Sequence, residues 1–95
     1  MTPAGRLVFR VHALERMFAR GITPDDVRSV VTEGEVIQRY PDDKPYPSQL
    51  VLGWRGPRPI HVVVADDREE GILIVVTAYE PDPVQWDAEF KRKVT

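Results

Sequence analysis

The feature that most limits what this chain can fold into is a change of hydrophobic period at Gly34-Glu35. Before it, apolar residues recur at helical spacing; after it, β-branched residues take over and the period drops to two. The pattern predicts four strands, at Glu35–Tyr40, 49–54, 60–66 and Ile72–Tyr79. They are separated by the run from Pro41 to Pro47, by Gly56-Pro57-Arg58-Pro59 and by Asp67-Arg68-Glu69-Glu70-Gly71. A parallel return needs a crossover of roughly a dozen residues or more, so links this short predict an antiparallel meander. Residues 60–65 and 72–76 are almost continuously apolar apart from His61, which marks the last two strands as central.

Two helices precede the strands. The first spans 12–20, with Leu14, Met17 and Phe18 at i, i+3 and i+4 as its expected buried stripe and Gly21 at the position that ends it. On another face His12, Arg16 and Arg20 recur every four residues and form a basic row. The second helix has strong start signals: Thr23 as N-cap, Pro24 at N1, and Asp25 and Asp26 in the first turn. Ile22 and Val27 have the spacing of a hydrophobic staple, Val27, Val30 and Val31 make the apolar stripe, and Gly34 closes it. In the tail, Trp86 and Phe90 are spaced for one or two helical turns laid on the body. The expectation is one α+β domain over 1–95, an N-terminal helical hairpin packed on a four-stranded antiparallel sheet with a short C-terminal helical tail.

Composition narrows the chemistry. Ninety-five residues without cysteine exclude disulfides, thiolate metal centres and thiol nucleophiles, and two histidines leave little for any other transition-metal site. No apolar run approaches the ~20 residues of a membrane helix, and the N-terminus lacks the apolar segment of a leader, so a cytoplasmic protein is expected. A domain this small supports one core and a surface cleft in place of an enclosed chamber. The net charge of -2 conceals an asymmetry, since residues 1–20 hold Arg6, Arg10, Arg16 and Arg20 against Glu15 alone.

Candidate residues follow from that short inventory. His12 lies within two turns of Arg16 and Arg20, whose guanidiniums offer planar donors to a phosphate. His61 shares a strand face with Val63 and Ala65, and its place near the strand's start predicts exposure, either as a half-buried structural histidine or as a base at the mouth of the sheet. Tyr79 closes the last strand and serves either as a packed edge residue or as a proton donor or phosphate ligand. Tyr40, Tyr46 and Trp54 are weaker candidates for stacking on unpaired bases. The Asp42-Asp43 pair lacks the spacing and glycine of a calcium loop, and its three-proline surroundings read as a stiff segment bordering a cleft or partner.

Several motifs, in order, carry a resemblance: His12-Ala13-Leu14-Glu15-Arg16-Met17, Arg20-Gly21-Ile22-Thr23, Tyr40-Pro41-Asp42-Asp43, Pro59-Ile60-His61-Val62-Val63-Val64 and Thr77-Ala78-Tyr79-Glu80-Pro81. Over about residues 9–92 the chain resembles a family of short prokaryotic proteins known only as a domain of unknown function and distantly similar to RelE- and MqsR-like toxins. The resemblance implies a metal-independent ribonuclease toxin of a type II toxin–antitoxin pair that needs no cofactor. It also implies a cognate antitoxin with a zinc-finger or DNA-binding region as partner, and functional positions at His12, Arg16, Arg20, His61 and Tyr79.

The chemistry can be stated independently. RNA supplies its own nucleophile, the 2′-hydroxyl, so side-chain catalysis needs a base, cations for the phosphorane and an acid for the leaving oxygen. His61 or His12 is expected as base, Arg16 and Arg20 as phosphate clamps, and Tyr79 as acid or phosphate ligand. Two alternatives stay open: a non-catalytic protein-interaction module, and a nucleic-acid-binding regulator, which Asp25 and Asp26 on the second helix disfavour.

Overall fold

The structure, a computed structural model, describes residues 6–94. Residues 1–5, part of the segment read above as too weakly apolar for a leader, and residue 95 lie outside the described residues. In chain order the elements are β1 (Arg6–Phe9), α1 (Val11–Ala19), α2 (Pro24–Glu33), β2 (Glu35–Tyr40), β3 (Ser48–Arg55), β4 (Arg58–Asp67) and β5 (Ile72–Tyr79). The α+β expectation holds, but the sheet has five strands in the order β1-β5-β4-β3-β2 and is mixed. β2 to β5 form the predicted antiparallel meander. The unpredicted β1 runs parallel to β5, pairing Leu7 with Leu73 and Phe9 with Val75. Short links enforce antiparallel pairing only between consecutive strands; β1 and β5 have the whole domain between them as their crossover.

α2 forms as its sequence dictates. The Thr23 hydroxyl accepts from the Asp26 amide at 3.0 Å and the Asp26 carboxylate accepts from the Thr23 amide at 2.9 Å, a complete capping box. Ile22, Val27, Val30 and Val31 are all buried. α1 departs from expectation. Ala13 and Met17 face the sheet, while Leu14 is partly exposed and Phe18 is 89% exposed, so the helix is rotated by about one residue from the predicted stripe. The small Ala13 lets α1 approach β5 closely, which its larger apolar residues would prevent. The helices pack mainly on strands, α1 over β5 and α2 over β3 and β4. No described helix is long and apolar enough to cross a membrane.

Both helices lie on one face. The core between them and the sheet contains Val51, Ile60, Val62, Val64, Leu73, Val75 and Ala78. Alternation along β4 therefore turns His61 to the opposite face. A bulge in the β4/β5 ladder lets Val75 and Ala78, three residues apart, both point at the helices and brings Tyr79 directly opposite His61. The tail crosses this second face. It forms turns and one isolated bridge, Trp86 to Lys93, in place of the expected helix, although Trp86 does pack on the body. The reason is local: the Asp87 carboxylate accepts from the Lys91 amide at 3.0 Å, and Phe90 takes a positive φ of 60°, which no helix can propagate.

A close approach of α2 to β3 gives a stability test. A Cβ at Gly53 would lie 2.8 Å from a Val30 methyl and 3.0 Å from its Cα. Gly53→Ala is expected to lower the unfolding free energy by about 1–3 kcal/mol through overpacking, measured by urea denaturation.

Candidate active site

His61 is the anchor of the second face. It lies in β4 between Leu52 of β3 and Tyr79 of β5 and is 0% exposed, against the exposure expected from its place in the sequence. The strand begins at Arg58, earlier than predicted, and the tail closes over the imidazole. Nε2 lies 2.8 Å from the Phe90 carbonyl oxygen and Nδ1 lies 3.2 Å from the Tyr79 hydroxyl. The Trp86 ring meets the imidazole edge-on at 4.4 Å. Burial pushes the His61 pKa below its ordinary 6.5, with the Phe90 carbonyl opposing, so the ring is neutral at pH 7. Tyr79, half-buried, titrates above its ordinary value, first through burial and then through Tyr40 nearby, and so keeps its proton.

A cleft of about 600 Å³ opens beside this pair. One wall is sheet, with Gln38 and Tyr40 of β2 and Tyr79 of β5; the other is tail, with Trp86, Lys91, Arg92 and Lys93. The tail wall is held by several independent contacts. The Val94 amide donates to Gln85 and the Asp87 amide to Arg92, Phe90 stands edge-on to Trp54 at 5.8 Å, and Lys91 reaches Glu35 at 3.3 Å and Glu89 at 3.5 Å. Lys93 Nζ lies 6.0 Å from the Trp86 ring centre. With Lys91 engaged by Glu35 and Glu89, Arg92 and Lys93 beside aromatic rings form the part of the surface suited to a phosphate with a flat base attached. A second hollow, of about 400 Å³, lies at the end of α2 and sets Glu33 and Glu35 against Lys91, a balance that suits an anion less well.

Of the residues expected from sequence, the structure brings His61 and Tyr79 together and places the basic row elsewhere. His12 and Arg16 are exposed on α1, in the helix layer behind the sheet. Arg20 pins α1 to β5, its Nη1 donating to the Ala78 carbonyl at 2.9 Å. Arg58 binds the Gly21 and Arg20 carbonyls and pairs with Glu80 at 3.3 Å, closing the end of α1. The stiff loop is tied back at Ser48, whose hydroxyl donates to Asp43 at 2.5 Å. Sequence reasoning missed Lys91, Arg92, Lys93 and Gln38. The cationic tripeptide was visible just past the apolar pair Trp86 and Phe90, but which face the tail would cover was not.

A family model described as a domain of unknown function, DUF4258, matches residues 9–80. The match contains the His61–Tyr79 pair and stops short of the cationic tail. No curated protein and no solved structure matches the chain.

The buried imidazole leaves a signature in stability. Below about pH 6.5 the unfolded chain protonates His61 while the folded chain resists, so unfolding takes up a proton. Stability is expected to fall as pH drops from about 6.5 to the depressed folded value and to lose this slope below it. Chemical denaturation between pH 7.5 and 5, above the range where the carboxylates titrate, checks this, and His61→Gln should flatten the slope.

Proposed function

The chain belongs to the family of unknown function DUF4258, and from its open-face cleft we propose that it is a metal-independent endoribonuclease, the toxin of a type II toxin–antitoxin pair. The observation that carries the reading is the juxtaposition of Tyr79, backed by the buried His61, with Lys91, Arg92 and Lys93 across one cleft. In this reading Arg92 and Lys93 hold the scissile phosphate and offset the charge of the phosphorane, and Tyr40 offers a ring to a flanking base. His61 has no surface from which to touch RNA, so its part in proton transfer runs through the Tyr79 hydroxyl. The 2′-hydroxyl proton passes to Tyr79, whose own proton passes to His61 Nδ1, while the 2′-oxygen bonds to phosphorus and the 5′-oxygen departs with a proton from solvent. The reading gives no role at the reacting atoms to His12, Arg16 or Arg20, whose placement suits partner binding and the positioning of α1.

Purified protein is expected to cleave single-stranded RNA in the presence of EDTA. Tyr79→Phe should slow cleavage by about 10²-fold or more, and a combined Arg92→Ala, Lys93→Ala variant should raise KM and weaken its dependence on salt. Folded protein that leaves RNA intact sinks the ribonuclease reading.

One observation favours a second reading, a protein-interaction module: Val11, Leu14 and Phe18 form an exposed apolar stripe on α1, and Leu14 and Phe18 border a shallow groove that the otherwise buried Met17 and Ile22 help to line. The readings are separable, since Phe18→Ser should abolish partner capture while leaving RNA cleavage unchanged. In the toxin reading that stripe is where the neutralising antitoxin docks.

A further inference from the structure

We infer that the Phe90 carbonyl, by deciding which ring nitrogen of His61 bears hydrogen, turns Tyr79 into a hydrogen-bond acceptor toward the cleft, so that the site selects ribose over deoxyribose. The inference rests on the RNA reading of the cleft and adds to it the group that tells the two sugars apart.

The directions follow from what each atom can do. A carbonyl oxygen only accepts, so the 2.8 Å contact between Phe90 and Nε2 requires the hydrogen on Nε2. A neutral imidazole with Nε2–H has a bare lone pair at Nδ1. The Tyr79 hydroxyl, 3.2 Å from Nδ1, therefore donates its single hydrogen to the ring. What remains to face the cleft is lone pairs. A phosphate oxygen set against them would be repelled, while a ligand hydroxyl would be bound. In a nucleic-acid backbone the sugar group that donates is the 2′-hydroxyl, which DNA lacks. The anionic part of the ligand has its own partners in Arg92 and Lys93 on the opposite wall.

The backbone that aims the carbonyl is built for that position. Phe90 has a left-handed φ of 60°, its amide donates to Asp87 at 3.0 Å, and its ring rests on Trp54, so the peptide is fixed from both sides. The groups packed on His61 are Tyr79 from β5, Leu52 from β3, and Trp86 and the Phe90 carbonyl from the tail; Tyr79 alone of these titrates. Tyr40 stands beside Tyr79 on the sheet wall, and Lys91, Arg92 and Lys93 face them from the tail. Once His61 is protonated, Nδ1 also carries hydrogen, Tyr79 must accept from it, and the phenol hydrogen turns toward the cleft. Acidification thus reverses what the site offers.

The test uses the full chain with adenosine 3′-monophosphate and 2′-deoxyadenosine 3′-monophosphate, which share a base and a phosphate and contain no scissile bond. Affinities are read from NMR shifts of cleft residues. At pH 7.5 the ribonucleotide is expected to bind about three- to tenfold more tightly, the worth of one hydrogen bond. Tyr79→Phe should bring the ratio to about one, and so should lowering the pH of the wild-type protein through the His61 titration. Because the phosphate titrates alike in both ligands, the ratio isolates the sugar. The ¹⁵N shifts of His61 should show hydrogen on Nε2 alone at pH 7.5. Equal affinity for the two nucleotides in the wild type, or hydrogen on Nδ1, overturns the inference and leaves the cleft as a nucleotide site. Failure of both nucleotides to perturb the cleft overturns the RNA reading and the inference with it.

Discussion

A fully buried imidazole must have both ring nitrogens satisfied, and this requirement at His61 organises one entire face of the protein. The sheet can answer only one of them, through Tyr79. The other is met by a backbone carbonyl that the chain supplies only by returning across the sheet after β5. Trp86 and Phe90 shield the polar contact from water, and the same return places Lys91, Arg92 and Lys93 opposite Tyr40 and Tyr79. Closing off the histidine and assembling the cationic wall are thus one structural event.

This division of labour follows from the architecture. Two short helices cover only one side of a five-stranded sheet, and the apolar residues of β3, β4 and β5 that point the other way need a different cover. A tail of irregular turns has no ladder to meet its own backbone groups, so it is built around side-chain and main-chain anchors: Asp87 taking the Lys91 amide, and the Trp86–Lys93 bridge. The resulting cleft is polar, open and lined by residues distant in sequence. A site of that kind is suited to a flexible anionic polymer more than to an enclosed small molecule.

Much of the fold was legible because it rests on local rules. Thr23, Pro24 and Asp26 dictate the start of α2 through groups within three residues of one another, and the β-branched runs mark four strands close to their observed bounds. The failures share a cause. Which side of α1 is buried depends on how closely Ala13 approaches β5; the parallel β1 depends on a partner more than sixty residues away; and the face that the tail covers depends on its contacts across the sheet, His61 among them. Of the site, the residue types His61 and Tyr79 were legible, and their pairing was not, since a bulge in β5 sets it. The arginine row was equally legible and led to the opposite side of the molecule.

The sequence by itself determined the class of fold, the restricted cast of titratable groups and the absence of thiol chemistry, because composition and short-range periodicity act through neighbours along the chain. The tertiary structure alone decided that His61 is buried and neutral, that it is paired with Tyr79, and that the cations beside this pair are those of the tail and not those of α1. Desolvation and hydrogen-bond direction depend on which atoms meet across the sheet, and no spacing along a strand or helix encodes that meeting.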